Sequence, residues 1–271
     1  MSNYEDAGSG PGIVFLHGFP FNRSMWREQI EFLSERGYRT VAPDLRGLGA
    51  NVTETSAGEA TSDNHRIKSV PPATMEDMAR DVAALMDQLG INHVILCGLS
   101  MGCYVALEFI HLFPERIRAL ILCGPRAQGP DEAEKQSREA QALRALLDGM
   151  DFAVESISMM LLAKRTVIEK PDVVARVREM VLSTNPKGAA AAQRGMAKRR
   201  DYSDELTNIS VPTLIVAGRE DGVRKPEDAE FIHQQIKNAR LEVLDDAGHL
   251  MNMEQPAEFN EKLAEFLKLI H

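Results

Sequence analysis

The sequence has few cysteines, few aromatic residues and no excess of basic charge. Its three cysteines fall in or beside predicted core elements, and they are Cys97, Cys103 and Cys123. A free thiol in such a place behaves as a small hydrophobic group, so no disulfide framework is expected. The formal net charge is −9. Because nucleic acids and anionic membranes attract basic surfaces, neither is expected as a partner.

Long apolar runs and targeting signals are also missing. No apolar run reaches the length of a membrane-spanning helix, and the segment Met1–Asp6 has neither the basic region nor the apolar core of a signal peptide. A cytoplasmic location is therefore predicted. The sequence also lacks zinc-site spacing, a P-loop and a G-x-G-x-x-G pattern, so no metal site and no nucleotide cofactor are predicted.

What is present is an alternation of short apolar runs with helical patterns. Runs such as Ile13–Leu16 and Arg118–Cys123 are typical of buried parallel strands. The length of 271 residues is enough for one large α/β unit. We therefore predict a mostly parallel sheet flanked by helices.

Two stretches interrupt this alternation. Residues 50–73 are rich in Ser, Thr, Gly, Asn and Pro and have no periodicity, which predicts an exposed excursion. Residues 127–205 have helical patterns without a convincing strand, which predicts a helical cap inserted between two parts of the core, 1–126 and 206–271. Most cap methionines are expected to pack between helices. Met160 is a candidate for substrate contact, because methionine adapts to varied apolar groups.

The central motif is Gly98-Leu99-Ser100-Met101-Gly102, which follows an apolar run and leads into a helical pattern. A strand, a serine at G-x-S-x-G spacing and a helix form the context of a nucleophile elbow. Gly98 and Gly102 are expected to let the strand and helix approach each other, because a Cβ at either position would collide with the opposing backbone. By itself the motif is weak evidence, so its partners decide its meaning.

A serine nucleophile needs a base, and the base needs an acid that orients it. Only His17 and His249, among the histidines, lie just beyond the carboxyl end of a predicted strand, where ligands gather in open α/β sheets. Ser100, Asp221 and His249 occur in the chain order expected for this elbow. We predict that these three form a catalytic triad.

Other acids are alternatives to Asp221. Glu220 is the nearest rival, and Asp221 by itself is typical of a turn. Asp245–Asp246 is too close in sequence to His249 and is expected to be a solvated turn. A second place for the acid, after the strand that ends at Cys123, holds Gly124-Pro125 instead.

Acyl transfer also requires two preorganised donors for the oxyanion. The backbone N–H of Met101, at the helix start after the nucleophile, is predicted to supply one. The other is assigned to the backbone N–H of Phe19, in the loop after the first apolar run. His17, in the same loop, is expected to be structural.

Five segments resemble motifs of the α/β-hydrolase superfamily, and together they span nearly the whole chain. They are His17-Gly18-Phe19-Pro20, Asp44-Leu45-Arg46-Gly47, Gly98-Leu99-Ser100-Met101-Gly102, Gly218-Arg219-Glu220-Asp221 and Ala247-Gly248-His249. From Ile95 to Gln255 the sequence is similar to the branch of 3-oxoadipate enol-lactonases and esterase-like hydrolases. The resemblance implies an α/β-hydrolase fold and a cofactor-free hydrolase of a small-molecule ester or lactone. Ser100 in place of aspartate argues against the haloalkane dehalogenase and epoxide hydrolase branches.

Three functions follow as hypotheses. The first is a carboxylic ester hydrolase that forms an acyl-enzyme on Ser100. The second is a lactonase whose substrate carries a carboxylate bound by Arg126 at the cap hinge. A surface or hinge salt bridge explains Arg126 equally well or better. The third is a non-catalytic receptor that uses the capped cavity only for binding.

The short N-terminus leads to a further expectation. Sheets of this superfamily usually begin with two strands before the loop that holds His17, and too little chain precedes Ile13 to form both. A sheet trimmed in this way would expose an edge strand around Thr40–Ala42, which could pair with a second subunit in a homodimer. A loop that covers the edge is the alternative.

Overall fold

The computed structural model describes residues 3–51 and 70–270, so most of the predicted excursion, 52–69, lies outside the described residues. The strands are β1 (Tyr4–Ala7), β2 (Gly12–Leu16), β3 (Arg39–Pro43), β4 (Val94–Leu99), β5 (Ile117–Cys123), β6 (Thr213–Gly218) and β7 (Ala239–Leu244). They form one seven-stranded sheet in the order β1-β3-β2-β4-β5-β6-β7. β1 is antiparallel to β3, and the other neighbouring strands are parallel.

β1 covers the edge that the short N-terminus was expected to expose. It pairs with β3 from Thr40 to Pro43, so β3 lies inside the sheet and the prediction of an exposed edge at Thr40–Ala42 is wrong. The sequence does not predict β1 because Tyr-Glu-Asp-Ala lacks the apolar pattern of a buried strand. Glu5 and Asp6 are exposed, and charged side chains on an edge strand discourage further pairing. The reason for expecting a homodimer through β3 is therefore gone.

Helices cover both faces of the sheet and fill the interval between β5 and β6. They are α1 (Arg27–Ser34), α2 (Met75–Gln88), α3 (Met101–Leu112), α4 (Glu132–Asp148), α5 (Asp151–Leu161), α6 (Lys164–Glu169), α7 (Pro171–Leu182), α8 (Pro186–Met196), α9 (Pro226–Gln235), α10 (Met251–Glu254) and α11 (Pro256–Leu267). We call α4–α8 the helical insertion. Within the described ranges, no helix combines the length and the apolar character needed to cross a membrane.

The core lies on both sides of the sheet. In β2, Val14 and Leu16 belong to one buried cluster, whereas Ile13 and Phe15 belong to the other. Successive side chains of a strand point to opposite faces, so a continuous apolar run buries both faces at once. This is the pattern that a parallel sheet covered by helices requires.

The parallel strands place their carboxyl ends at one edge of the sheet, where open α/β folds collect their ligands. The helical insertion packs over the core at close range. A Cβ on Gly188 in α8 would lie 1.6 Å from the carbonyl oxygen of Gly47. Only glycine allows this approach, so α8 is fixed against the core by backbone contact.

Candidate active site

Ser100 lies on a strained turn between β4 and α3. Its backbone has φ 55° and ψ −110°, a conformation that costs a non-glycine residue about 1–3 kcal/mol. Its N–H donates to the carbonyl of Cys123 at 2.9 Å, and its own carbonyl accepts the N–H of Cys103 at 2.9 Å. These bonds hold the turn so that the hydroxyl group is presented at the edge of the sheet.

The flanking glycines permit this turn. A Cβ on Gly98 would lie 2.4 Å from the carbonyl oxygen of Gly102, and a Cβ on Gly102 would lie 2.2 Å from that of Leu16. Both distances are far below van der Waals contact. They confirm the prediction that strand and helix approach too closely here for a side chain.

His249 and Asp221 form a buried pair. Nδ1 of His249 lies 2.6 Å from Oδ2 of Asp221, and the two side chains are 2% and 1% exposed. Oδ1 of Asp221 accepts the N–H groups of Val223 and Arg224, both at 2.8 Å. Because a carboxylate only accepts hydrogen bonds, this contact fixes the tautomer of the neutral imidazole with the proton on Nδ1 and the lone pair on Nε2.

The imidazole of His249 and the side chain of Ser100 lie at the same cavity. Nε2 of His249 is buried and has no hydrogen-bond partner among the described residues. His249 and Ser100 line one cavity, and no hydrogen bond joins them. Contacts between nucleophile and base are often loose without substrate and shorten when substrate binds. The three residues predicted as a triad thus lie at one edge of the sheet, and their catalytic roles stay a prediction.

The candidate oxyanion donors lie beside the elbow. A Cβ on Gly18 would lie 3.5 Å from the Cβ of Ser100, so the next residue in the chain, Phe19, begins close to the nucleophile. Phe19 also lines the cavity. Met101 is the first residue of α3. The N–H of such a residue has no carbonyl partner within its own helix, so it is free to bind an anion.

His17 holds the loop that carries Phe19. Its Nε2 accepts the backbone N–H of Leu45 at 2.9 Å, and the ring is buried. Burial lowers the pKa of His17 below its usual value, although the hydrogen bond to the carbonyl of Gly18 and the charge of Asp44 act in the opposite direction. A neutral ring is required for this bond, since only neutral imidazole has an acceptor nitrogen. The contact fits the structural role expected for His17.

A cavity of about 500 Å³ lies between the sheet edge and the helical insertion. Part of its wall is apolar and is formed by Met150, Phe152, Met160, Leu161 and Val223. Met160, the predicted candidate for substrate contact, is therefore in the wall, although its role in binding stays a prediction.

The other part of the wall is rich in arginine. Arg138 and Arg224 line the cavity together with the carboxylate of Glu134. Glu134 accepts hydrogen bonds from Arg138 at 2.7 Å and from Arg199 at 2.9 Å. Burial alone would raise the pKa of Glu134, but the hydrogen bonds from Arg199 and Arg138 lower it to about 2. This carboxylate is therefore ionised and already neutralised by its neighbours.

The guanidinium of Arg224 has a different set of contacts. It forms no ion pair with a carboxylate in the described part of the chain. One terminal nitrogen donates to the hydroxyl of Tyr104, and the other donates to the carbonyl of Val223 at 3.2 Å. Its Nε is buried without a partner. Burial acts to lower the pKa of Arg224, but Tyr104, Glu134 and Asp228 outweigh it, and the pKa is raised. Arg224 thus adds a positive charge to the cavity wall without a carboxylate in direct contact.

Arg126, the residue predicted to bind a substrate carboxylate, lies outside the set of residues that line this cavity. Its Nη1 is 3.5 Å from Oε2 of Glu134. This is the hinge ion pair that was the alternative explanation of Arg126. A role in substrate binding stays a prediction without a contact to support it.

The sequence does not single out Gly124, Arg224 or Glu254, although each contacts the candidate site. Their contacts come from distant segments, so no local spacing marks them. Glu254 is not marked either, because a glutamate is almost never fully buried unless its carboxylate is paired, and its partner Ala163 is distant in the sequence.

A family model described as alpha/beta hydrolase fold matches residues 11–256. The match confirms the predicted fold. A curated relative, 3-oxoadipate enol-lactonase 1 of Acinetobacter baylyi, is 30% identical over 263 residues, which cover 97% of this chain and 90% of the relative.

Two solved structures are similar over almost their full length. A thermophilic esterase from Thermogutta terrifontis with malate bound has a TM-score of 0.89 and 37% identity, and the match covers 99% of this chain and 93% of that one. The enol-lactonase from Burkholderia xenovorans has a TM-score of 0.84 and 27% identity, with 98% and 96% covered.

Proposed function

The chain belongs to the α/β-hydrolase family, and on that premise we propose that it is a serine hydrolase that cleaves carboxylic ester bonds of small to medium substrates. The supporting observation is the 2.6 Å contact between His249 Nδ1 and Asp221 Oδ2, beside a cavity that Ser100 also lines. This contact leaves Nε2 of His249 as the free acceptor that a serine nucleophile needs.

In the first step, Nε2 of His249 takes the proton of the Ser100 hydroxyl while Oγ attacks the ester carbonyl carbon. Asp221 keeps the ring in the correct tautomer and stabilises the imidazolium. The carbonyl oxygen becomes an oxyanion, which accepts hydrogen bonds from the N–H groups of Phe19 and Met101. Collapse of this intermediate breaks the ester bond, and His249 gives its proton to the leaving alkoxide.

In the second step, His249 activates a water molecule that attacks the acyl group on Ser100. The oxyanion forms again at the same donors. Its collapse releases the carboxylic acid and restores the serine hydroxyl. The reaction needs no group beyond these side chains, two backbone donors and water.

The most direct test is the variant Ser100→Ala with short 4-nitrophenyl esters. Loss of the nucleophile is expected to lower kcat by about 10⁶-fold while the fold is retained, as checked by circular dichroism. Wild-type protein is expected to be labelled covalently by a fluorophosphonate, and the variant is not. Wild-type protein that neither turns over esters nor reacts with the probe would instead support the non-catalytic receptor.

A second candidate substrate is an ester or lactone that carries a carboxylate. The observation that favours it is Arg224, whose guanidinium lies in the cavity wall without a direct ion pair among the described residues, where Glu134 is already paired with Arg138 and Arg199. Arginine binds carboxylates with two parallel hydrogen bonds, and such bonds are strongest where water is excluded. The similar esterase from Thermogutta terrifontis contains malate, a dicarboxylate.

A further inference from the structure

The carboxylate of Glu254 joins the loop that carries His249 to the helical insertion. Glu254 ends α10 and is 0% exposed. Its Oε1 accepts the N–H groups of Gly248 at 2.9 Å and Leu250 at 3.2 Å. Its Oε2 accepts the N–H of Ala163 at 2.7 Å, at the start of α6. One side chain therefore bonds to the backbone on both sides of His249 and to the insertion.

The N–H of His249 itself is bound from the other direction. It donates to the carbonyl of Leu161 at 2.7 Å, and Leu161 lies in the cavity wall. A Cβ on Gly248 would lie 2.5 Å from the same carbonyl oxygen. Three consecutive N–H groups, those of residues 248, 249 and 250, thus have acceptors supplied only by Glu254 and Leu161.

Burial of a carboxylate is unfavourable unless hydrogen bonds replace its water. Glu254 has no cationic side chain on its carboxylate among the described residues, and three backbone donors take the place of water. An apolar side chain of the same volume would leave all three N–H groups buried without acceptors. The carboxylate is therefore needed for the conformation of this loop.

We propose that Glu254 is a positioning residue for His249, an inference that rests on the proposed function. Glu254 does not line the cavity, so it acts through the backbone of the base. Its bonds fix the loop so that Nε2 is directed toward the space that Ser100 faces. The bond to Ala163 also fixes the position of the His249 loop relative to Met160 and Leu161 of the cavity wall.

Two variants test the role of this carboxylate. Glu254→Gln keeps the length of the side chain but has only one side-chain oxygen. This oxygen is expected to accept the N–H groups of Gly248 and Leu250. The NH₂ group then faces the N–H of Ala163, and these two donors cannot bond to each other. Glu254→Asp keeps the charge but is one methylene shorter, so it cannot reach the loop and the insertion together. Both variants are expected to lower kcat by about 10- to 100-fold and to leave KM within about twofold, because the base is misplaced while the cavity wall remains.

Glu108 provides a matched control. It is a buried carboxylate on α3 that accepts a hydrogen bond from the hydroxyl of Tyr202, away from the cavity. Glu108→Gln is expected to lower the unfolding midpoint while kcat stays within about twofold of wild type. All kinetics are measured well below the unfolding midpoint of each variant.

The outcomes separate the two levels of the proposal. Three results would overturn the positioning role while the hydrolase function stands. The first is wild-type kcat in folded Glu254→Gln or Glu254→Asp, and the second is an effect on KM alone. The third is a loss of kcat in Glu108→Gln equal to that in the Glu254 variants. If Glu254→Gln does not fold, Glu254→Asp decides by the same criteria. Wild-type protein without esterase turnover and without fluorophosphonate labelling would overturn the function itself.

Discussion

The imidazole ring of His249 packs directly over Gly124 at the end of β5. A Cβ at position 124 would lie 2.9 Å from Cε1 and 3.0 Å from Nδ1 of His249. Gly124 also has φ 55°, in the left-handed region that glycine adopts without strain. The end of β5 is therefore kept free of a side chain, and the pair of His249 and Asp221 occupies that space.

We expect Gly124→Ala to displace the imidazole ring and to lower kcat by about 10²-fold, because a shift of about 1 Å in a catalytic group has effects of that size. The backbone strain should also cost about 1–2 kcal/mol of stability. Steady-state ester hydrolysis and thermal unfolding measure the two effects. Gly90→Ala is the matched control, since Gly90 has φ 68° but a Cβ there would meet nothing within 4 Å.

The control is expected to lose stability with kcat unchanged. Wild-type kcat in folded Gly124→Ala would show that the imidazole position does not depend on this glycine. It would also weaken the assignment of His249 as the base.

Asp221→Asn should lower kcat by about 10⁴-fold. Oδ1 of Asp221 accepts two backbone N–H groups, so the single oxygen of asparagine is expected to take that position. Its NH₂ group would then face Nδ1 of His249, which favours the tautomer with a protonated Nε2, and this tautomer cannot act as base. Ester kinetics and unfolding curves measure the result.

Glu220→Gln tests the rival acid. It is expected to retain kcat within about twofold, because His249 contacts Asp221. A larger loss in Glu220→Gln than in Asp221→Asn would move the acid to Glu220.

The sequence predicts most strands and the elbow because those signals are local, and it predicts the partners of Ser100 from their chain order and from their positions after predicted strands. Gly98 and Gly102 flank Ser100 within one motif, and the apolar runs mark the strands directly. β1 is missed because an edge strand with exposed Glu5 and Asp6 has no apolar pattern. Arg224 is missed because its place in the cavity depends on contacts with residues from separate segments. It bonds to Tyr104 and lies in the same cavity wall as Glu134, which is paired with Arg138.

The stability of the protein should fall in mild acid because of His17. Burial lowers the pKa of His17 below its usual 6.5, so near and below that pH the unfolded chain binds more protons at this site than the native state. Stability from this group is therefore complete above pH 6.5 and is lost as the pH falls, with a slope of up to about 1.4 kcal/mol per pH unit. Urea unfolding at pH 7.5 and at pH 5.5 measures the change.

His17→Gln is the reference for this effect. A glutamine oxygen can accept the N–H of Leu45 in place of Nε2, and glutamine does not titrate. The variant is expected to be less stable at pH 7.5 but to lose less stability than wild type on acidification. Equal pH dependence in the two proteins would show that His17 does not contribute.

The charge of Arg224 predicts a selective effect on anionic substrates. The neutral 4-nitrophenyl valerate and the 4-nitrophenyl monoester of glutaric acid have acyl chains of equal length, and only the second carries a carboxylate. Arg224→Gln is expected to lower kcat/KM for the glutarate monoester by about 10- to 100-fold, the effect of losing a hydrogen bond to a charged group, and to change that for the valerate little. Arg126→Gln is the matched control, because Arg126 pairs with Glu134 outside the cavity. Equal losses for both esters in Arg224→Gln would contradict carboxylate recognition, and a selective loss in Arg126→Gln alone would assign that recognition to Arg126.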